Sequence, residues 1–376
     1  MDIIKRADKA FSSTERNNAR GKWSLISEFM LPNQSGIFVG DTAKGGSKTG
    51  RLYDSSAVMH VHDLAAAMHS TVTNPATKWS KLRFKSDVLN NNGQATGWLS
   101  EANDAIHNFI SESNFDTQIA KGYQSFASLA CMVFFAEEDD REMDGEFKGL
   151  RFESWHLSQV AISENKNGMV DTIYRKFKMT AKQIVEKFDK LSEEDIESFK
   201  DNPDKEFEVY HGIMPRDKKM VRLNEFGLAL PQHRPYASIY KVKGIGSDDM
   251  IEEGGYYEFP CTVTRWNSLP GEVYGRGPGH IALPDVRTLN KLVELDLQAT
   301  AKTVEPIWFV EQAAVIGKLD LRPGKVNIVP SLGSIEQVQP TNRFEVTDSR
   351  IDRLQRSIKS IFFMDKLMLP PRQETG

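Results

Sequence analysis

The chain has 376 residues, of which 39% are hydrophobic and 27% charged, with a formal net charge of −4. This is the composition of an ordinary soluble protein with two or three domains or subdomains. The longest apolar run, LACMVFFA, is too short to span a bilayer, and the N-terminus has no signal-peptide core. The absence of a basic run argues against an enzyme that binds nucleic-acid phosphates tightly.

The first 130 residues are predicted to be mainly helical. Apolar residues recur there at helical spacing, and the runs begin at capping residues or end before prolines. The predicted helices cover residues 2–30, ended by Pro32; a segment capped by Asp54 or Ser55 and closed by Asn74-Pro75; residues 97–113; and residues 115–129.

The loop at residues 33–50 contains VGDTAKGGSKT, which resembles a phosphate-binding P-loop. That motif needs Gly-x4-Gly-Lys-Ser/Thr directly after a strand and at the start of a helix. Gly40 and Gly45 have the required spacing, but the lysine that should follow at once comes two residues late, at Lys48. We therefore predict a surface loop, with nucleotide binding at residues 40–49 as the alternative.

Two candidate metal sites fail on spacing. His60, His62 and His69 have no acidic or cysteine partner at ligand spacing, so we predict structural histidines. In the acidic turn EEDDREMDGE, Arg151 occupies the position where a calcium loop needs a bidentate glutamate. We expect no metal and no cofactor.

The region from 131 to 270 is predicted to be β-rich, interrupted by a helical pair that opens at Thr180 and at Ser192. Cys131 and Cys261 lie in apolar, strand-like contexts and are predicted to be buried and reduced. The region has no nucleophile elbow, HExxH or CxxC, so we predict no enzyme. The predicted strands are ACMVFFA, WHLSQVAIS, MVDTIYRKFKM, EFEVYHGIM, YASIYKV and YYEFPCTVTRW.

Residues 271–305 read GEVYGRGPGHIALPDVRTLNKLVELDLQATAKTVE and predict a glycine-rich approach followed by one long helix. Because Pro284 suits a first helical turn, the helix is expected to begin near Leu283. Two apolar stripes imply two neighbours, as in a ring or a tight bundle. The stripes are Val286, Leu289, Val293, Leu297, Thr300 and Val304, and Leu292, Leu295 and Ala299; the polar residues between them are Arg287, Lys291, Glu294, Gln298, Lys302 and Glu305.

After this helix the sequence predicts a small β module and then a second helix. IWFVE, KVNIVP and IEQVQP favour short strands, and a helix is expected to open at Thr347 or Asp348. One face of that helix carries Ile351, Leu354, Ile358, Ile361 and Phe362, and the other carries Asp352, Gln355, Arg356 and Lys359.

Two segments of the chain resemble the portal, or head-to-tail connecting, proteins of short-tailed, T7-like bacteriophages. They are GEVYGRGPG…ALPDVRTLN, within residues 271–305, and RLYDSSAVMHVHDLAAAMHSTVTNPATKWSKL, at residues 51–82. The resemblance covers most of the chain and implies an α+β viral portal fold. Its implied parts are a wing at 1–280 (helical 1–130, β-rich 131–270), a first stem helix at 281–305, a clip at 306–346, a second stem helix at 347–369 and a flexible end at 370–376. Relatives continue into a crown, which is expected to be absent from this chain.

The resemblance also implies a function: a non-enzymatic homo-oligomeric ring, a dodecamer in the family, at one capsid vertex of the virion. The ring would be assembled in the host cytoplasm. Double-stranded DNA would move through its channel during packaging and ejection, and the ring would contact that DNA non-specifically. Its implied partners are the terminase large subunit, tail or adaptor proteins, and capsid and scaffolding proteins, with no membrane. The alternatives are a nucleotide-binding packaging enzyme and a tail adaptor.

Three sets of residues are candidates for roles in such a ring. They are the stem or oligomer contacts Val286, Leu289, Leu292, Val293, Leu295 and Leu297; the channel- or DNA-facing residues Lys291, Lys302, Arg353, Arg356 and Lys359; and the motif loop of Tyr274, Gly275, Arg276, Gly277 and Pro278.

Overall fold

The computed structural model describes residues 3–38, 50–139, 149–188, 202–222, 227–244, 251–304 and 344–367, together with 191, 196–197, 199, 224, 308–310 and 335–337. The predicted P-loop-like segment 40–49, most of the acidic turn, the strand KVNIVP and the opening of the helix at Ser192 lie outside the described residues.

The fold belongs to the predicted α+β class. Its helices are α1 (Ile3–Phe11), α2 (Thr14–Met30), α3 (Ser56–Val72), α4 (Asp87–Asn90), α5 (Gly93–Glu112), α6 (Phe115–Leu129), α7 (Ala181–Lys187), α8 (Pro278–Val304), α9 (Phe344–Ile361) and α10 (Met364–Leu367). Its strands are β1 (Cys131–Glu138), β2 (Leu150–Trp155), β3 (Val160–Glu164), β4 (Val170–Thr180), β5 (Glu206–Pro215), β6 (Tyr236–Val242), β7 (Glu252–Tyr256), β8 (Cys261–Arg265), β9 (Trp308–Val310) and β10 (Ile335–Gln337).

The described strands form three antiparallel sheets. One has the order β2-β1-β8, a second has the order β3-β4-β5-β6-β7, and β9 pairs with β10 between the two long helices α8 and α9 in the chain. In the five-stranded sheet, neighbours in space are also neighbours in sequence, so the sheet is a simple meander. The predicted order of long helix, small β module and long helix is confirmed for the described residues.

The N-terminal helix predicted over 2–30 is two helices. Ser13 adopts an extended backbone, and its side chain accepts a hydrogen bond from the Arg16 N–H, so a new helix starts there. The short helix α1 packs on the five-stranded sheet through Ile3 and Ala7. The following helix instead buries Trp23 in the main core. The single-helix prediction was therefore wrong, because a serine cap competes with helix continuation.

Two of the predicted strands are split in the structure. YYEFPCTVTRW contains the last residue of β7, Tyr256, and the whole of β8. These strands belong to different sheets, and the residue before β8 is Pro260, which has no N–H to donate to a ladder. WHLSQVAIS forms the end of β2, a 3-10 turn at Leu157–Gln159 and then β3. Both splits carry the chain from one sheet to the other, which periodicity within one segment cannot show.

The main core lies where α2, α3 and α8 meet the three-stranded sheet. Its fully buried side chains include Trp23, Phe135 and Leu289. The cysteines are confirmed as buried and free, since Cys131 and Cys261 lie on β1 and β8 within this core. Burial raises the pKa of the Cys131 thiol to about 12, so the thiol stays protonated and unreactive.

The long helix α8 begins at Pro278, not near Leu283. Pro278 occupies the first helical position, where a missing N–H has no cost, and the Gly277 carbonyl accepts hydrogen bonds from the N–H groups of His280 (3.0 Å) and Ile281 (3.2 Å). Pro284 therefore lies inside the helix. The predicted start was five residues too late, because the helix opens at the first of two suitable prolines.

The second long helix differs from its prediction at both ends. It starts at Phe344, before the predicted capping residues, and ends at Ile361. Phe363 adopts a left-handed backbone conformation (φ 61°), which breaks the helix before the short α10. On the predicted apolar face, Ile358 and Phe362 are fully buried.

Candidate functional site

The two segments that carry the sequence resemblance meet in space around the first turns of α8. The glycine-rich approach packs against the junction of α6 and β1, and residues 51–56 bind side chains of both long helices. This junction, with the exposed part of α8 beyond it, is the candidate functional site.

The glycines of the approach are needed for close contact. A β-carbon on Gly275 would lie 2.6 Å from the Ala130 carbonyl oxygen, one on Gly277 would lie 2.9 Å from the Ala130 β-carbon, and one on Gly279 would lie 2.0 Å from the Ser128 carbonyl oxygen. None of the three has a positive φ. The chain can therefore lie against the end of α6 only because these residues have no side chain.

Tyr274 anchors the approach to the core. Its ring packs edge-on against Trp23, with ring centroids 5.0 Å apart, and its hydroxyl accepts a hydrogen bond of 3.3 Å from the Ile162 N–H on β3. Burial raises the pKa of the Tyr274 phenol to about 12, so it stays neutral. Arg276, by contrast, is exposed and pairs with Glu272. Tyr274 is thus structural, and Arg276 is the motif residue available at the surface.

Asn290 joins the two motif segments directly. Its side-chain oxygen accepts hydrogen bonds from the N–H groups of Tyr53 (2.7 Å) and Asp54 (3.3 Å), and its side-chain nitrogen donates to the Arg51 carbonyl oxygen (2.9 Å). Asn290 is only 7% exposed. The sequence interpretation missed this residue. The signal was present, because Asn290 lies between Val286 and Val293 on the apolar face of the helix, where a polar side chain needs partners.

Asp54 and Asp285 attach the second long helix to the same junction. Asp54 accepts hydrogen bonds of 3.0 Å from the Ser56 N–H and from the Gln355 side-chain nitrogen. Of the two predicted caps of α3, Asp54 or Ser55, Ser55 occupies the N-cap position, and its side chain makes no capping hydrogen bond. Ser357 donates a 2.9 Å hydrogen bond to Asp285. Side chains near the start of α8 thus meet side chains near the end of α9.

Replacing Asn290 by leucine should lower the free energy of unfolding by roughly 2 to 4 kcal/mol, since three hydrogen bonds of about 1 kcal/mol net each are lost and two backbone N–H groups lose their acceptor. The decrease can be measured as a lower thermal midpoint. Gln298→Leu is the matched control, because this amide on the same helix is exposed and, among the described residues, bonds only Glu294. Equal midpoints for the two variants would contradict the role given to Asn290.

The predicted stem contacts differ in burial along α8. Val286 and Leu289 are buried, Leu292 and Val293 are half-buried, and the stripes then become exposed. The two most exposed are Leu295 (47%) and Leu297 (53%). The predicted enclosure of the helix on most of its circumference does not occur within one chain, because the rest of the described structure packs only on its first half. A second neighbour remains a prediction.

An open groove of about 870 Å³ runs beside the half-buried stripe. It lies between α2 and α8, and Leu25, Phe29 and Leu292 supply apolar surface to it. Leu25 is 38% exposed. The apolar surface of α8 therefore continues onto α2.

The predicted channel-facing residues lie on both long helices, and two of them form ion pairs. Lys291 pairs with Glu294 (2.9 Å), and Lys359 pairs with Asp365 (3.5 Å). Lys302, Arg353 and Arg356 are exposed, and none of them forms an ion pair with a described residue. Their role in contact with DNA is untested.

The three histidines of α3 point to different surroundings. His60 packs near Phe362, the His62 ring nitrogen lies 3.3 Å from the Gln124 amide, and His69 lies near Asp116. Among the described residues no three His, Cys, Asp or Glu side chains come together as metal ligands. In the same part of the chain, no helix has the length and apolarity to cross a membrane.

Comparisons with known proteins identify the family of the chain. The profile of the family described as bacteriophage head to tail connecting protein matches residues 2–375. The chain is 24% identical over 366 residues to the portal protein of Salmonella phage epsilon15, covering 94% of this chain and 63% of that protein. It is 27% identical over 282 residues to the "Probable portal protein" of Bordetella phage BPP-1, covering 73% of this chain and 48% of that protein.

The chain thus spans about half to two thirds of the length of these relatives. Because the family profile covers nearly all of its residues, the chain belongs to the bacteriophage head to tail connecting protein family.

Proposed function

We propose that this chain is a phage portal, or head-tail connector, that forms a homo-oligomeric ring at one capsid vertex of the virion. Family membership and similarity to two portal proteins support this role. The ring would be a dodecamer without enzymatic activity. Double-stranded DNA would pass through it during packaging and ejection. The ring would dock the terminase large subunit first and tail or adaptor proteins later, and would contact capsid and scaffolding proteins.

The observation that carries the proposal is the apolar surface of α8 that the single chain leaves exposed. Leu297 continues the stripe of the buried Val286 and Leu289, and Leu295 continues the stripe of Leu292, but both are about half exposed. Exposed apolar surface of this kind marks interaction sites. A ring repeats one heterologous contact around an axis, so every subunit would cover this surface in its neighbour. In this assignment α8 and α9 form the stem, β9 and β10 belong to the clip, and the preceding residues form the wing.

Native mass spectrometry and electron microscopy of the purified chain test the ring directly. We expect a single high-order oligomer with a central channel. A protein that stays monomeric at high concentration would contradict the proposal. Particles without a channel would favour the tail-adaptor alternative.

The nucleotide-binding alternative makes a different prediction. Lys48→Ala should leave assembly and packaging unchanged, because the lysine stands two residues out of P-loop register. Packaging in a cell-free system and ATP hydrolysis by the purified wild-type chain measure this. If the wild-type chain hydrolyses ATP, and Lys48→Ala abolishes both hydrolysis and packaging, the chain is a packaging enzyme instead.

A further inference from the structure

The sequence interpretation missed a basic segment, residues 78–85 (KWSKLRFK), which lies next to α5 and belongs to no helix or strand; we call it the strap. It has four basic residues and no acidic one. The Trp79 ring stacks on Phe115, with centroids 5.7 Å apart, and the Asn90 side chain bonds both the N–H (3.0 Å) and the carbonyl oxygen (2.8 Å) of Phe84. The strap is therefore held in place at both ends.

A cleft of about 800 Å³ separates the strap from α5. Lys78, Lys81 and Arg83 line it on the strap side, and Leu82 and Leu99 add apolar surface. Clefts of this size with an apolar lining and a few convergent polar groups are typical of binding sites.

An amide without a partner lies in this cleft. Asn103 is 8% exposed and is the only residue of α5 that is buried, yet it forms no hydrogen bond with a described residue. A carboxamide offers two N–H donors and an oxygen acceptor, and buried side-chain amides are normally paired. The amide atoms still reach the open cleft, so they are available to a ligand that supplies both donors and acceptors.

The charges on the strap favour an acidic ligand. Lys78 pairs with Asp104 (2.6 Å) and Arg83 with Asp87 (3.3 Å), while Lys81 forms no ion pair with a described residue. The backbone N–H groups of Lys81, Leu82 and Arg83 also form no hydrogen bond in the described part of the chain. Free backbone groups on a fixed segment can pair with the backbone of a bound peptide.

We propose that the cleft binds an acidic polypeptide segment with apolar side chains, contributed by another protein. Nucleic acid fits less well, because the unbonded backbone N–H groups of the strap match a peptide backbone, and Leu82 and Leu99 match apolar side chains. The inference does not depend on the proposed portal ring.

Fluorescence anisotropy with the purified chain and a labelled synthetic peptide of alternating glutamate and leucine tests this. We expect saturable binding that weakens as salt is added. Lys81→Glu should weaken binding about tenfold or more, since it places like charges together. Asn103→Leu, which removes the amide without adding charge, should also weaken it. Lys121→Glu is the matched control, an exposed lysine on α6 outside the cleft, and should bind like the wild type.

Several outcomes would overturn the proposal. Equal binding of a lysine and leucine peptide would show unspecific adsorption. Tighter binding of a double-stranded DNA oligonucleotide, lost in Lys81→Glu, would assign the strap to nucleic acid. Loss of self-association in Lys81→Glu, with no peptide binding by the wild type, would make the cleft a contact between copies of this chain. Circular dichroism of each variant checks that the fold is intact.

Discussion

Gly279→Ala is expected to destabilise the protein severely, although glycine to alanine within a helix usually stabilises. Alanine is better than glycine by roughly 1 kcal/mol in a helix interior. At this position, however, the added β-carbon would lie 2.0 Å from the Ser128 carbonyl oxygen, far inside van der Waals contact. We expect a loss of about 3 kcal/mol or more, at the upper end of overpacking effects.

The clash at Gly279 cannot be relieved by rotating a side chain, because the atom it meets belongs to the backbone. Two residues after Ser128 comes Ala130, whose left-handed backbone (φ 61°) ends α6 and leads directly into β1. Moving this turn would disturb the central strand of the three-stranded sheet. A loss of this size is a large part of the 5 to 15 kcal/mol that typically stabilises a domain.

Gly97→Ala provides the matched control. Gly97 is also helical, but a β-carbon there would meet nothing within 4 Å. The thermal midpoint should therefore rise for Gly97→Ala. For Gly279→Ala both the thermal midpoint and the soluble yield should fall. A midpoint that rises for both would show that α8 does not lie against the end of α6 as described.

The sequence predicted the local elements well where a cap or a strong period defined them. Thr180 forms the expected cap of α7, with Gln183 completing a capping box, and YASIYKV forms β6 with its predicted bounds. In these segments the deciding contacts lie within a few residues of each other, so they can be seen in the sequence.

The residue roles that the sequence interpretation missed depend on contacts between distant segments. The role of Gly279 depends on Ser128, which lies about 150 residues earlier in the chain, and a glycine-rich run alone only indicates irregular backbone. The partners of Asn290 lie at residues 51–54. The family resemblance had marked both segments, but nothing in either segment showed that they touch each other.

Aspartate at both Leu292 and Leu295 should abolish ring formation while leaving the chain folded. In the single chain Leu295 is 47% exposed and Leu292 is half-buried, so aspartates there can stay hydrated in a monomer. If a neighbouring subunit covers this stripe, assembly would bury both carboxylates at a cost of several kcal/mol per ion. Because a ring repeats the contact in every subunit, the cost is repeated around the ring.

Size-exclusion chromatography with light scattering measures this effect, and circular dichroism reports whether the chain is folded. Gln298→Asp is the matched control, since it adds a negative charge to the same helix on the polar arc and should leave rings intact. A misfolded double variant would place the stripe in the core of the subunit. Rings of normal size and stability would show that no subunit covers Leu292 and Leu295, and the contact around the ring would then have to lie on another surface of the chain.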